Sequence, residues 1–97
     1  MQPINGEDVF AALELGFKHP TTVVFYHDIS GIPIVLDYYS VIGKSITEIT
    51  QWLDDLFYEK KVRVCYYNSA DYGQVAVLQE LLPKCRFVTR NKHGRVF

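Results

Sequence analysis

Glu14-Leu15-Gly16-Phe17-Lys18-His19-Pro20-Thr21 is the stretch on which the fold turns. Apolar runs of strand length surround it: Val9 to Leu15 before it, Thr21 to His27 after it, and Ile32 to Tyr39 beyond a second joint. Gly16 and Pro20 belong to the first turn, and Asp28-Ile29-Ser30-Gly31 makes the second. Gly, Pro, Asp and Ser supply the backbone angles and local hydrogen bonds that such turns need. Thr21 to Tyr26 is β-branched and aromatic, the composition of a strand. Ile34 to Tyr39 is a similar run, and Pro33 ahead of it lacks an N–H where a strand can spare one. The stretch therefore predicts a three-stranded antiparallel meander with the Glu14 carboxylate at the end of its first strand. Ala11 to Glu14 would also suit a short helix, but the turn that follows favours a strand.

The rest of the chain covers or extends this sheet. Ser40 to Lys44 reads as a loop. Ser45-Ile46-Thr47-Glu48 has the form of a capping box, in which Ser45 caps an amide and Glu48 reaches back. Ile46, Ile49, Trp52, Leu53, Leu56 and Phe57 follow at helical spacing on one face, while Glu48, Asp54, Asp55 and Glu59 face water. Lys60 and Lys61 complement the dipole at the helix end. Val62 to Tyr67 is the next strand. Asn68 to Asp71 breaks it and can cap a second helix, with Val75, Leu78, Leu81 and Leu82 as its apolar face and Pro83 as its stop. Cys85 to Thr89 is a last strand, and Arg90 to Phe97 a basic tail. The element order is β-β-β-α-β-α-β. The helical crossover should set the fourth strand parallel to one already formed.

Composition bounds the reading. Ninety-seven residues suit a single domain over 1–97, and 48% hydrophobic against 22% charged is a globular balance. A net charge of −1 excludes a polycation that binds nucleic acid through bulk charge. Cys65 and Cys85 lie in apolar strands without metal-ligand spacing, which predicts buried, reduced thiols in a cytoplasmic protein. Met1 to Gly6 reads as a polar leader without the pattern of a signal peptide, and no apolar run reaches membrane-spanning length. Gly43-Lys44-Ser45 lacks the leading glycine of a phosphate loop, because Tyr38 stands in that position.

The order and spacing of these segments resemble the ribonuclease H-like nuclease domain of phage terminase large subunits. Glu14 to Val24 is similar to that family's opening: an acid, a spacer and glycine, a turn ending in Pro-Thr, then a β-branched strand. Leu36-Asp37-Tyr38-Tyr39, with the amphipathic helix after Gly43-Lys44-Ser45, resembles its next segment. Val64 to Asp71, the helix that follows and Val88 to Lys92 resemble its fourth strand, helix and fifth strand. The resemblance implies an α/β mixed sheet with two helices, and a role in DNA packaging and DNA cleavage. It also implies acids at adjacent strand ends that hold two magnesium or manganese ions. Carried over residue by residue, it offers Glu14 and Asp71 as catalytic residues and Glu14, Asp37 and Asp71 as metal ligands. Three departures mark the site as incomplete. The first-strand acid is Glu14 where the family usually has Asp. Asn68 stands where a fourth-strand acid is expected, and the third acid is expected from a later segment, whereas the sequence stops at Phe97. The resemblance then points to a degenerate nuclease-like domain that acts by binding.

Each residue also has a plainer role. Glu14 can be an exposed strand-end carboxylate, Asp37 a solvent-facing or turn residue, and Asp71 a helix cap. Lys84, Arg86, Arg90, Lys92 and Arg95 place five of the ten basic residues near the end, as a phosphate-binding arm or a solvated terminus. Tyr66 or Tyr67 could stack on bases, although one of the two must face the core. His19, His27 and His93 share no metal-like spacing. The partners implied are DNA or phage packaging proteins, with a homodimer through the fifth strand and Phe97 as a further arrangement. The alternative is a small non-enzymatic phage or mobile-element protein that binds another protein.

Overall fold

The computed structural model describes residues 8–90, and for Arg90 the backbone alone. The leader over Met1 to Gly6, together with Lys92, His93 and Arg95, lies outside the described residues. Three strands open the chain: β1 (Phe10–Glu14), β2 (Thr21–Ile29) and β3 (Ile32–Val41). Helix α1 (Ile46–Lys60) leads to β4 (Val64–Asn68); a 3-10 turn over Ser69–Asp71 and helix α2 (Tyr72–Leu81) lead to β5 (Arg86–Arg90). The strands form one sheet in the order β3-β2-β1-β4-β5. β1 is antiparallel to β2 and parallel to β4, β2 is antiparallel to β3, and β4 is parallel to β5. The meander and the parallel extension follow the sequence reading, and the fold is ribonuclease H-like.

Local chemistry explains each joint. Gly16 is needed at the first turn because a Cβ there would collide with the His19 carbonyl oxygen and ring. The buried Thr21 hydroxyl closes that turn from both sides: Oγ1 accepts from the Gly16 N–H at 2.9 Å and donates to the Gly16 carbonyl at 2.9 Å. Ser30 and Gly31, both at positive φ, make the second joint, and Asp28 Oδ1 accepts from the Gly31 N–H at 2.8 Å. The capping box at α1 forms in both directions: Ser45 Oγ accepts from the Glu48 N–H, and Glu48 Oε1 accepts from the Ser45 N–H. Lys61 ends the helix in the left-handed conformation at φ 59°.

Both helices pack on one face of the sheet. Ala11, Leu13, Val23, Phe25, Cys65 and Tyr67 point into a shared core with Ile49, Leu53 and Phe57 of α1 and Val75 and Leu78 of α2. Each large aliphatic or aromatic side chain buried there contributes roughly 1.5–3 kcal/mol. Strand alternation sends Ala12, Glu14, Val24 and Tyr66 to the opposite face. Tyr67 is thus the core tyrosine, and Tyr66 lies against Phe10 with ring centroids 6.3 Å apart. Cys65 and Cys85 are buried free thiols. Gln79 ties α2 to the last strand, donating to the Cys85 carbonyl at 2.8 Å and accepting from the Phe87 N–H at 2.9 Å. No helix among the described residues is long and apolar enough to cross a membrane.

Two local expectations are corrected. Ser40 and Val41 belong to β3 rather than to a loop, because they pair with Thr22 and Thr21 and complete the ladder to the end of β2. Leu81 is exposed rather than core, because it lies roughly 120° around the helix from Val75.

Candidate functional site at the ends of β1 and β4

The parallel pairing of β1 with β4 runs from Phe10 and Val64 to Leu13 and Tyr67. The next residue on each strand is Glu14 and Asn68, so the two stand side by side at the carboxyl ends of adjacent strands, on the face away from the helices. Ligands of open α/β sheets gather at such strand ends. On one flank Thr22 pairs with Glu14, and on the other Arg90 pairs with Asn68. The row Thr22, Glu14, Asn68, Arg90 therefore crosses the sheet at its carboxyl-end rim.

Glu14 is exposed, held by the Gly16–Thr21 turn directly behind it. Asn68 is extended at φ −79°, and its Oδ1 accepts from the Ala70 N–H at 2.9 Å. It thereby caps the 3-10 turn. Asp71 is the residue before α2, but its side chain makes no capping bond there. Its Oδ2 instead accepts from the Leu15 N–H at 3.4 Å and ties the start of α2 to the end of β1. The side-chain cap expected of Asp71 at the start of α2 does not form; Asn68 caps the preceding 3-10 turn instead. Asp71 is brought beside the Glu14 segment by this bond.

Asp37 is not brought there. It pairs with Phe25 on the helix-covered side of β3, with β2 between it and β1. Lys60 Nζ donates to its Oδ2 at 2.7 Å, the Tyr39 hydroxyl donates to the same oxygen at 2.8 Å, and the Tyr38 N–H donates to Oδ1 at 3.0 Å. The Lys60 ammonium first, then the Tyr39 hydroxyl, hold the Asp37 carboxyl down at about 2. Asp37 raises the Lys60 ammonium in turn, and Lys60 also lies over the Phe25 and Tyr39 rings. This cluster fastens the end of α1 to β3.

The basic residues divide. Lys84 and Arg86 are exposed at the start of β5, where Arg86 pairs with Val64 at the amino ends of the parallel strands. Arg90 lies four residues on, roughly 13 Å away along an extended strand, beside Asn68. Lys92 and Arg95 lie outside the described residues. Among the described residues, no three His, Cys, Asp or Glu side chains converge as metal donors. The donor set of Glu14, neutral Asn68 and the amide-bound Asp71 does not fit a pair of divalent cations. Sequence reasoning missed Thr22 and the Asn68–Arg90 adjacency. A parallel register would have revealed them, and residue types alone do not carry that register.

No family model matches the chain, and no curated protein sequence matches it. Solved structures do. The large terminase from a thermophilic bacteriophage aligns with a TM-score of 0.73 over 94% of this chain at 15% identity. The same protein in a second crystal form gives 0.74 at 14% identity. The P22 large terminase nuclease domain aligns over 100% of this chain and 76% of its own, with a TM-score of 0.53 and 8% identity. This chain spans about a quarter of the length of the thermophilic phage protein, 25% of it by alignment. At these identities the shared property is the fold: the ribonuclease H-like sheet of the phage large-terminase nuclease domain, built here from Phe10 to Arg90.

Proposed function

We propose that residues 1–97 form a single terminase-nuclease-like domain that binds DNA in a packaging context and has lost cleavage. One observation carries this: Asn68 occupies the strand-end position beside Glu14, where a second carboxylate would have to stand to hold cations. An amide adds no negative charge, and cation affinity falls with each carboxylate lost. Glu14 and Asp71 remain as the acids that could hold a single magnesium or manganese ion, and Asp37 is committed to Lys60. DNA contact falls to Arg90, which pairs with Asn68, and to Lys92 and Arg95 outside the described residues, with Lys84 and Arg86 as phosphate contacts further along the edge. A cytoplasmic location belongs to the same proposal.

Incubating plasmid with the protein and manganese tests it, together with retention of labelled duplex at rising salt. Expected are intact plasmid and retention that weakens steeply with salt. Nicking by the wild type that disappears in Glu14→Ala would overturn the loss of cleavage. Salt-insensitive or absent retention would overturn the binding role. A second function, a phage or mobile-element protein that binds another protein, is favoured by the apolar β3 edge. Capture of a packaging protein without any DNA retention would select it.

A further inference from the structure

β3 is one edge of the sheet, ten residues long and unpaired on its outer side among the described residues. Such an edge presents a row of unpaired N–H and C=O groups, and proteins usually guard it with lysine, proline or a cover. The opposite edge is guarded. On β5, Gln79 bonds the Cys85 carbonyl and the Phe87 N–H, and the strand begins and ends in arginine. β3 carries Pro33 and one bulge but no lysine or arginine. Its sole charge, Asp37, is turned to Lys60.

The side chains along this edge are apolar and exposed: Ile32 62%, Ile34 45%, Val35 54%, Leu36 45% and Tyr38 58%, with Ile29 at 37% just across the turn. At ordinary side-chain areas these exposures amount to about 600 Å² per chain, against the roughly 800 Å² per partner of a standard-size interface.

We propose that β3 pairs antiparallel with β3 of a second copy of this chain, joining two sheets about a two-fold axis near Val35. Self-pairing suits this edge because no like charges meet across the axis. About Val35, Ile34 lies opposite Leu36 and Ile32 opposite Tyr38, both apolar pairs, while Asp37 faces Pro33 and so meets no second charge. Pro33 and the bulge at Leu36, which falls between the Phe25–Asp37 and Tyr26–Val35 pairs, lie inside this run and interrupt the ladder on either side of Val35, so the pairing is short. This dimer edge is β3 rather than the fifth strand, and it stands or falls separately from the DNA-binding proposal.

Sedimentation of the purified chain across a range of concentrations tests the pairing. The wild type should pass from monomer to dimer in the micromolar range. Val35→Lys, at an exposed position, should raise the dimer Kd at least about tenfold by setting two lysines face to face. An equimolar mixture of Val35→Lys and Val35→Glu chains should dimerise again, because the charges then oppose. A wild type that stays monomeric at hundreds of micromolar overturns the proposal. So does a Val35→Lys chain that dimerises undiminished, or a mixture no better than Val35→Lys alone.

Discussion

Thr21→Val removes one oxygen from the turn behind Glu14 and keeps the rest of the side chain. Thr21 is 1% exposed, and its hydroxyl makes two bonds of 2.9 Å, one to the Gly16 N–H and one to the Gly16 carbonyl. Valine has nearly the same shape and the same strand preference, so the change isolates the hydroxyl. Each backbone group left without a partner costs roughly 1–3 kcal/mol. Gly16 is only half-buried, so water reaches it in part and the low end applies to both groups, for a loss of about 2 kcal/mol. In a domain of this length that lowers Tm by roughly 8–16 °C. It lowers the urea midpoint by about 1–2 M if m is roughly 1–1.5 kcal/mol/M. Urea unfolding with an unchanged m, and faster amide exchange at Gly16, are the readouts. Thr21→Ser retains the hydroxyl and should lose only about 1 kcal/mol through the missing methyl. A Thr21→Val chain within about 0.5 kcal/mol of wild type, with the Gly16 amide still protected, would refute this role for the hydroxyl.

Other consequences follow from the same structure. The Asp37 carboxyl is held at about 2 instead of 3.8, so its ionised form stabilises the fold above the ordinary value, and that stability drains away as pH falls through about 2. Asp37→Asn should flatten the dependence of the urea midpoint on pH between those two values; an unchanged acid limb would contradict the pairing with Lys60. Burial pushes the Cys65 thiol well above its ordinary value and the Cys85 thiol up to about 12. Neither should react with a thiol reagent at about pH 8 until urea unfolds the chain, and prompt labelling of the native protein would count against the packing of β4 and β5. Leu53 is fully buried between α1 and the sheet, and Leu53→Ala should cost about 3 kcal/mol in urea unfolding.

Much of this architecture is written in local sequence. Gly16 and Pro20 announce the first turn, Ser45 and Glu48 the start of α1, and Pro83 the end of α2, because each is a backbone requirement met by one residue type. The three meander strands were legible because β-branched and aromatic runs alternate with turn residues. Register was not legible. The helical crossover sets β4 parallel to some earlier strand, but a shift along β1 would set Glu14 against another residue. Only the Leu13–Tyr67 pair fixes Asn68 as its neighbour. The fate of Asp37 was hidden for a similar reason. Its partner, Lys60, is twenty-three residues away on a helix whose angle over the sheet depends on how Leu53 and Phe57 pack. Asp71 misled because a residue at a helix start reads as a cap, whereas the end of β1 offered its amide across fifty-six residues.

Titration with manganese, followed by calorimetry or by relaxation of water protons, most directly tests whether Asn68 silences the strand-end site. Aspartate caps a helical turn as well as asparagine does, so Asn68→Asp keeps the Ala70 bond while adding a carboxylate next to Glu14. Wild-type protein should show no saturable manganese binding below the millimolar range, Asn68→Asp should bind at least about tenfold more tightly, and adding Glu14→Ala should abolish the gain. Sub-millimolar binding by the wild type, or an Asn68→Asp chain that folds but binds no better, would contradict the placement of these two residues.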